Sequence, residues 1–251
     1  MKGTPDHEQS DRHRARQRHR QDALSAMSER PISRRGAVTR RLLGVVCSLV
    51  AVAALAAAAA AQGSAPSPEQ DGIVFVGSSI FHRWPNLARQ MAPLPVLNLA
   101  FDGSQTEDML RMLDSRVLPR RPRVIVYYCG SNDVNAGESA SAIFDRTRQF
   151  IDRAARALPG TRVVYMSINR APEKQERWDV VDAVNRRVEA YAAETAFLQY
   201  VDVNPVLFGR DGTPRTELYL PDGLHFRPPA YDEFARILKP VLTEAFTRRV
   251  N

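Results

Sequence analysis

Ile73-Val74-Phe75-Val76-Gly77-Ser78-Ser79 runs from consecutive apolar residues into a turn of small residues that ends on a hydroxyl. The run is too short for a helix and shows no polar alternation, so it predicts a strand buried on both faces. Working outward, residues 95–99, 124–129, 162–168 and 198–201 are further short apolar runs, rich in Val and Ile where they are longest. Between them the apolar period becomes helical. Ile143, Phe144, Phe150, Ile151, Ala154, Ala155 and Leu158 make one stripe, closed by Pro159-Gly160, and Val180, Val181, Val184, Val188, Tyr191 and Ala192 make a second. Residues 232–248, with Phe234, Ile237, Leu238, Val241, Leu242 and Phe246, predict a closing helix. Buried strands alternating with one-sided helices predict an α/β fold: a three-layer α/β/α sandwich around a parallel sheet of about five strands in flavodoxin-like order.

The composition changes abruptly near residue 62 of the 251. Up to that point there are 11 Lys and Arg against five acidic residues, leaving 24 basic and 23 acidic residues for the rest. The net charge of +7 therefore belongs almost wholly to the leader, and a nucleic-acid partner does not follow from it. Residues 1–41 read as a basic, disordered cytoplasmic leader. Residues 42–61 carry no charge and contain eight Leu or Val and nine Ala, about the length of a membrane-crossing helix though only moderately apolar. Arg34, Arg35, Arg40 and Arg41 precede this segment and a Pro/Ser-rich linker, residues 62–71, follows it, so the positive-inside rule places the main domain, residues 72–251, outside the cytosol.

Ala59-Ala60-Ala61 suits a signal-peptidase site, so the segment is either a cleaved signal or a membrane anchor. The Arg pairs also fit a twin-arginine signal, and Met27 is an alternative start that would give a leader of ordinary length. Of the two cysteines, Cys47 lies in the apolar segment and Cys129 ends an apolar run, so the main domain has no internal disulfide. No Cys/His spacing of a zinc site occurs, and neither a metal nor a cofactor is implied.

In a parallel sheet of this kind, ligands bind where loops leave the C-terminal ends of the strands. Three short blocks fall at such ends: Gly77-Ser78-Ser79, Asn98-Leu99-Ala100-Phe101-Asp102-Gly103 and Gly130-Ser131-Asn132-Asp133. A fourth, Asp222-Gly223-Leu224-His225, precedes the closing helix. Together they supply what ester cleavage by a serine requires. A neutral Ser79 hydroxyl is a poor nucleophile and needs a base. His225 is one of two histidines beyond residue 62; the other, His82, reads as a surface residue on the helix after Ser79. Asp222, three residues before His225, is within reach of Nδ1 and would leave Nε2 free to accept a proton. Gly103 and Asn132 could donate to a developing oxyanion, and Ser78 and Asp133 stand beside the site as supporting residues. Each block alone is ordinary turn chemistry; the information lies in their joint order.

These blocks resemble those of the SGNH hydrolases, the GDSL-type esterase and lipase superfamily, over roughly residues 72–246. The stretch from Gly77 through Trp84-Pro85-Asn86-Leu87 is most similar to a branch akin to the platelet-activating-factor acetylhydrolases. The resemblance implies Ser79 as nucleophile, His225 and Asp222 as its partners, and an oxyanion hole made of the Ser79 and Gly103 backbone N–H groups and the Asn132 amide. The common Gly-Asp-Ser-Leu of the superfamily is departed from at Ser78 and Ile80, which touches the support of the site rather than its chemistry.

The expected activity is hydrolysis of small-molecule or carbohydrate acyl esters of short chain. No long apolar lid is evident, and the loops 169–178 and 203–220 could border the pocket with Asn169, Arg170, Trp178 and Phe208. Two alternatives stand beside it. One is an O-acyltransferase or deacetylase of envelope carbohydrate; the other is a membrane-tethered binding module that has lost turnover. The residues leave the oligomeric state open.

Overall fold

The computed structural model describes residues 71–248. The leader, the apolar segment with its cleavage and anchor alternatives, Met27, Cys47 and nearly all of the linker lie outside them. Among the described residues no helix is long and apolar enough to cross a membrane.

Five strands form one parallel sheet: β1 (Ile73–Gly77), β2 (Val96–Asn98), β3 (Val124–Tyr128), β4 (Arg162–Met166) and β5 (Leu198–Val201). Their order is β2-β1-β3-β4-β5, the flavodoxin-like order. β3 lies at the centre and β1 between it and the edge strand β2, with Phe75 opposite Asn98 on one side and Val126 on the other. Every residue of β1 and β3 is buried, as their unbroken apolar runs require.

Side chains alternate between two cores. Ile73, Phe75, Val126, Tyr128, Val164 and Met166 point into one, which is covered by α1 (Ser79–His82), α2 (Leu87–Met91) and α7 (Pro228–Thr247). Val74, Val76, Ile125, Tyr127 and Tyr165 point into the other, covered by α3 (Thr106–Met112), α5 (Ala140–Ala157) and α6 (Trp178–Ala193). α5 starts where the Ser139 hydroxyl accepts from the Ala142 N–H, and it buries Ile143, Thr147, Phe150, Ile151 and Ala154 on the predicted face. The closing helix begins four residues before its predicted start, because Pro228 and Pro229 sit in its first turn, where a fixed φ and a missing N–H cost nothing. The third and fourth strands stop one and two residues earlier than their apolar runs: after β3 the chain turns at Gly130, φ +122°, and after β4 the Ile168 backbone pairs with the Asn185 side chain.

A helix of four residues such as α1 has no stability of its own. Its Ile80 and Phe81 are fully buried, each worth roughly 1.5–3 kcal/mol, and this holds the turn that carries Ser79. Trp84, just beyond α1, packs 5.1 Å from Tyr231 and 6.2 Å from Phe234 of α7, ring centre to ring centre. Phe226 meets the same Phe234 edge to face, 5.0 Å between ring centres. One aromatic cluster thus joins the segment after Ser79 to the segment after His225.

Candidate active site

At the end of β1 the chain must turn sharply against β3. Gly77 has φ +151°, and a Cβ there would lie 1.9 Å from the Tyr128 carbonyl oxygen, so only glycine fits. The Ser78 N–H donates to that oxygen at 3.2 Å, and Ser79 follows as the first residue of α1, 7% exposed. As a first helical residue, Ser79 has no intrahelical acceptor for its N–H.

The second block folds over this turn. The Phe101 N–H and the Ser104 hydroxyl both donate to the Gly77 carbonyl, at 3.1 and 2.9 Å. Asn98 donates to the Phe81 carbonyl at 2.7 Å and accepts from the Ala100 N–H at 3.1 Å, which ties the loop to α1. Gly103 takes φ +74° with open space where a Cβ would stand, so its need is for the left-handed backbone and not for room.

The third block is helical: α4 (Ser131–Asn135) begins at Gly130, φ +122°, where a Cβ would meet Ile168 at 2.6 Å. The Asn132 amide donates to the Ser104 carbonyl at 2.9 Å, using one of its two hydrogens and aiming the group along the Gly103 loop. Asp133 is fully buried and accepts from the Thr106 N–H at 3.1 Å, from the Thr106 hydroxyl, and from Arg146 at 3.2 Å. It supports the site from below, locking α4 to the start of α3 and to the second turn of α5.

In the fourth block, Leu220 donates to the His225 carbonyl at 2.7 Å and Gly223 to the Leu220 carbonyl at 3.0 Å, making a tight loop. Asp222 Oδ1 accepts from the N–H groups of Leu224 and His225 at 3.0 and 2.9 Å. Its Oδ2 lies 2.7 Å from His225 Nδ1, and His225 Nε2 lies 2.9 Å from the Ser79 hydroxyl. Burial alone would raise the Asp222 carboxyl, but hydrogen bonds from the His225 ring and the two backbone N–H groups outweigh it and hold the group at about 2. An ionised carboxylate on Nδ1 selects the tautomer whose Nε2 can accept the Ser79 proton.

The structure therefore brings Ser79, His225 and Asp222 into one hydrogen-bonded chain and gathers Gly103, Asn132 and Asp133 beside it. Several residues around them carried no sequence signal. His82 is exposed, and its Nδ1 lies 3.0 Å from the Ala100 carbonyl, on the loop that leads to Gly103. Arg83 forks onto Asp102 across the site. Glu173 joins the third and fourth blocks: its N–H donates to the Gly223 carbonyl at 3.2 Å and its carboxylate accepts from Asn135 at 3.0 Å. Eighteen or more positions separate the partners of each of these pairs, and no short motif marks such a distance.

Of the residues expected along the pocket loops, Asn169 is buried and accepts from the Tyr128 hydroxyl. Arg170 is forked onto Asp182 at 2.6 and 2.7 Å and lines, with Tyr200, Asp202 and Phe208, a surface cleft of about 490 Å³. Trp178 donates to the Ala171 carbonyl at 2.9 Å and packs against Phe208. Cys129 is buried, and burial pushes its thiol well up, which makes it a packing residue.

No curated protein matches this sequence. Solved structures share its fold. A Streptococcus pneumonia protein provisionally described as a platelet activating factor is 24% identical, covering 69% of this chain and 84% of its own, with a TM-score of 0.62. A GDSL-like lipase from Bacteroides thetaiotaomicron is 21% identical over 75% and 96% of the two chains, TM-score 0.61. A carbohydrate esterase family 3 protein from Talaromyces cellulolyticus is 17% identical over 69% and 97%, TM-score 0.55. The profile of the GDSL-like Lipase/Acylhydrolase family matches residues 61–232, spanning the first three blocks and the fourth. With its sheet order and its four blocks gathered at one sheet edge, the chain belongs to the GDSL-like lipase/acylhydrolase family and is a hydrolase acting on esters.

Proposed function

We propose that the protein is a serine esterase that cleaves short-chain, acetyl-type esters through an acyl-Ser79 intermediate. The observation that carries this reading is the chain from Asp222 Oδ2 to His225 Nδ1 at 2.7 Å and from His225 Nε2 to Ser79 Oγ at 2.9 Å. His225 takes the hydroxyl proton as Ser79 attacks the ester carbonyl, then returns it to the leaving alcohol. The carbonyl oxygen, now negative, is met by the N–H groups of Ser79 and Gly103 and the Asn132 amide. Water, activated by the same imidazole, releases the acid and restores Ser79.

The short-chain preference is supported by the surface. Leu220 is the one large apolar side chain exposed among the described residues, at 37%. A long acyl chain or a lipid aggregate needs a contiguous apolar patch, and one side chain does not make one. Acetyl groups on envelope carbohydrate fit this reading, together with a domain directed outside the cytosol by the Arg-flanked apolar segment, residues 42–61, as signal or as anchor. The test is hydrolysis of p-nitrophenyl acetate, butyrate and laurate by the protein and by Ser79→Ala, with EDTA present. Turnover that falls with chain length and disappears in the variant is the expected result; equal activity of the variant, or a preference for laurate, overturns the proposal.

A further inference from the structure

Asp102 stands directly before Gly103, so the loop that offers an N–H to the oxyanion also carries a carboxylate next to it. A carboxylate in that position opposes the negative charge that develops in the transition state. Arg83 lies across from it, one turn beyond the nucleophile: its own N–H donates to the Ser79 carbonyl at 2.9 Å. Its guanidinium grips Asp102 with Nε at 3.1 and 3.2 Å from the two oxygens and Nη2 at 2.8 Å from Oδ2.

Both side chains are nearly half exposed, 46% and 45%, and an ion pair in that setting contributes little to folding. The loop has other ties for that purpose. Asn98 holds Phe81, His82 holds the Ala100 carbonyl, and Ser104 holds Gly77. The pair is also within electrostatic reach of the triad. Hydrogen bonding to Arg83 holds the Asp102 carboxyl below its ordinary range against burial, with His82 and His225 acting the same way, and Asp222 adds to the pull of Asp102 on Arg83.

We infer that Arg83 is a positioning residue of the ester-cleaving site: by gripping Asp102 it cancels the one negative charge on the oxyanion-side loop beside Gly103 and keeps that carboxylate turned from the reacting oxygen. The inference rests on the serine mechanism proposed above. Arg83 acts through Asp102 and not on the substrate, so its loss is felt when charge develops and not when substrate binds. The effect belongs to kcat.

The experiment compares kcat and KM for p-nitrophenyl acetate in the full chain, Arg83→Ala, Asp102→Asn, the double variant and Arg83→Lys, beside Ser79→Ala, with thermal unfolding of each. Arg83→Ala is expected to lower kcat about tenfold, with KM within about twofold and the melting temperature unchanged. Adding Asp102→Asn to it removes the exposed charge and restores most of the lost kcat. Lys, which keeps the charge but not the fork, recovers part, and added salt narrows the Arg83→Ala defect because the carboxylate is then screened. A double variant as slow as Arg83→Ala alone, or a loss carried by KM or by the melting temperature, overturns the inference while leaving the serine mechanism in place. Turnover that survives Ser79→Ala overturns the mechanism itself, and this role of Arg83 with it.

Discussion

The two sides of the proposed esterase site, acid–base and oxyanion, are built in different ways. The acid–base side is local: Asp222 and His225 sit three residues apart in one loop, and Asp222 is held by two N–H groups of that same loop. Its carboxylate is also open to water, with 47% of the side chain exposed. The oxyanion side is assembled from afar. Ser79, Gly103 and Asn132 come from three loops after three strands, and Asp133, the neighbour of Asn132, is fully buried and bonded to Thr106 and Arg146. A local loop keeps its shape when one side chain is lost, whereas a convergent one depends on buried contacts that also hold the fold.

The largest effect expected from this contrast is at His225. His225→Ala removes the base, and kcat should fall by about 10⁴-fold or more. Its melting temperature should match that of the parent, because the loop is closed by backbone bonds such as Leu220 N–H to the residue 225 carbonyl. A comparable loss of stability would show that the acid–base side is not an independent unit.

Asn132→Ala comes next, with kcat lower by about 10²–10³-fold, the usual cost of one oxyanion donor. Its bond to the Ser104 carbonyl is a single part-buried one, so unfolding should change by only about 1 kcal/mol. Kinetics and urea unfolding on the same preparation separate the two numbers.

Asp133→Ala tests the buried support. It strands the Thr106 N–H and Arg146, though Arg146 keeps Glu138 at 3.3 Å, so the loss should be near the low end for a broken buried pair, about 3 kcal/mol. Activity should drop as well, even though the carboxylate does not touch the reacting atoms. Denaturant midpoints show the first effect, and kcat measured well below the melting transition shows the second.

The smallest effect is in the pH dependence of stability. The Asp222 carboxyl is held at about 2, below its ordinary 3.8. Its ionised form therefore stabilises the fold above pH 3.8, and that contribution disappears as the pH falls through about 2. The melting-temperature difference between the parent and Asp222→Asn should be small and flat above pH 3.8 and should narrow toward pH 2. A difference that grows on acidification would contradict the hydrogen-bond pattern around Asp222.

The sheet and the fourth block could be read from the chain because both depend on short-range pattern. Apolar runs five residues long mark β1 and β3, and a three-residue interval sets Asp222 against His225. The short helices α1 and α4 were less legible. Neither has an amphipathic repeat; the first exists because Ile80 and Phe81 are buried, the second because Asp133 is gripped from below. The residues expected along the pocket loops, such as Arg170, turned out to be engaged elsewhere, since a flexible arginine takes the carboxylate that packing brings to it, here Asp182.

The alternation of strand and helix, the order of the four blocks and the types of group they carry follow from the chain alone, because hydrophobic period and turn chemistry act over a few residues. Folding in three dimensions sets Ser79 Oγ 2.9 Å from His225 Nε2, aims Asn132 at the Ser104 carbonyl and closes Arg83 on Asp102. Those distances join residues far apart in the chain, and they exist because two buried cores and an aromatic cluster bring the strand ends and their loops to one edge.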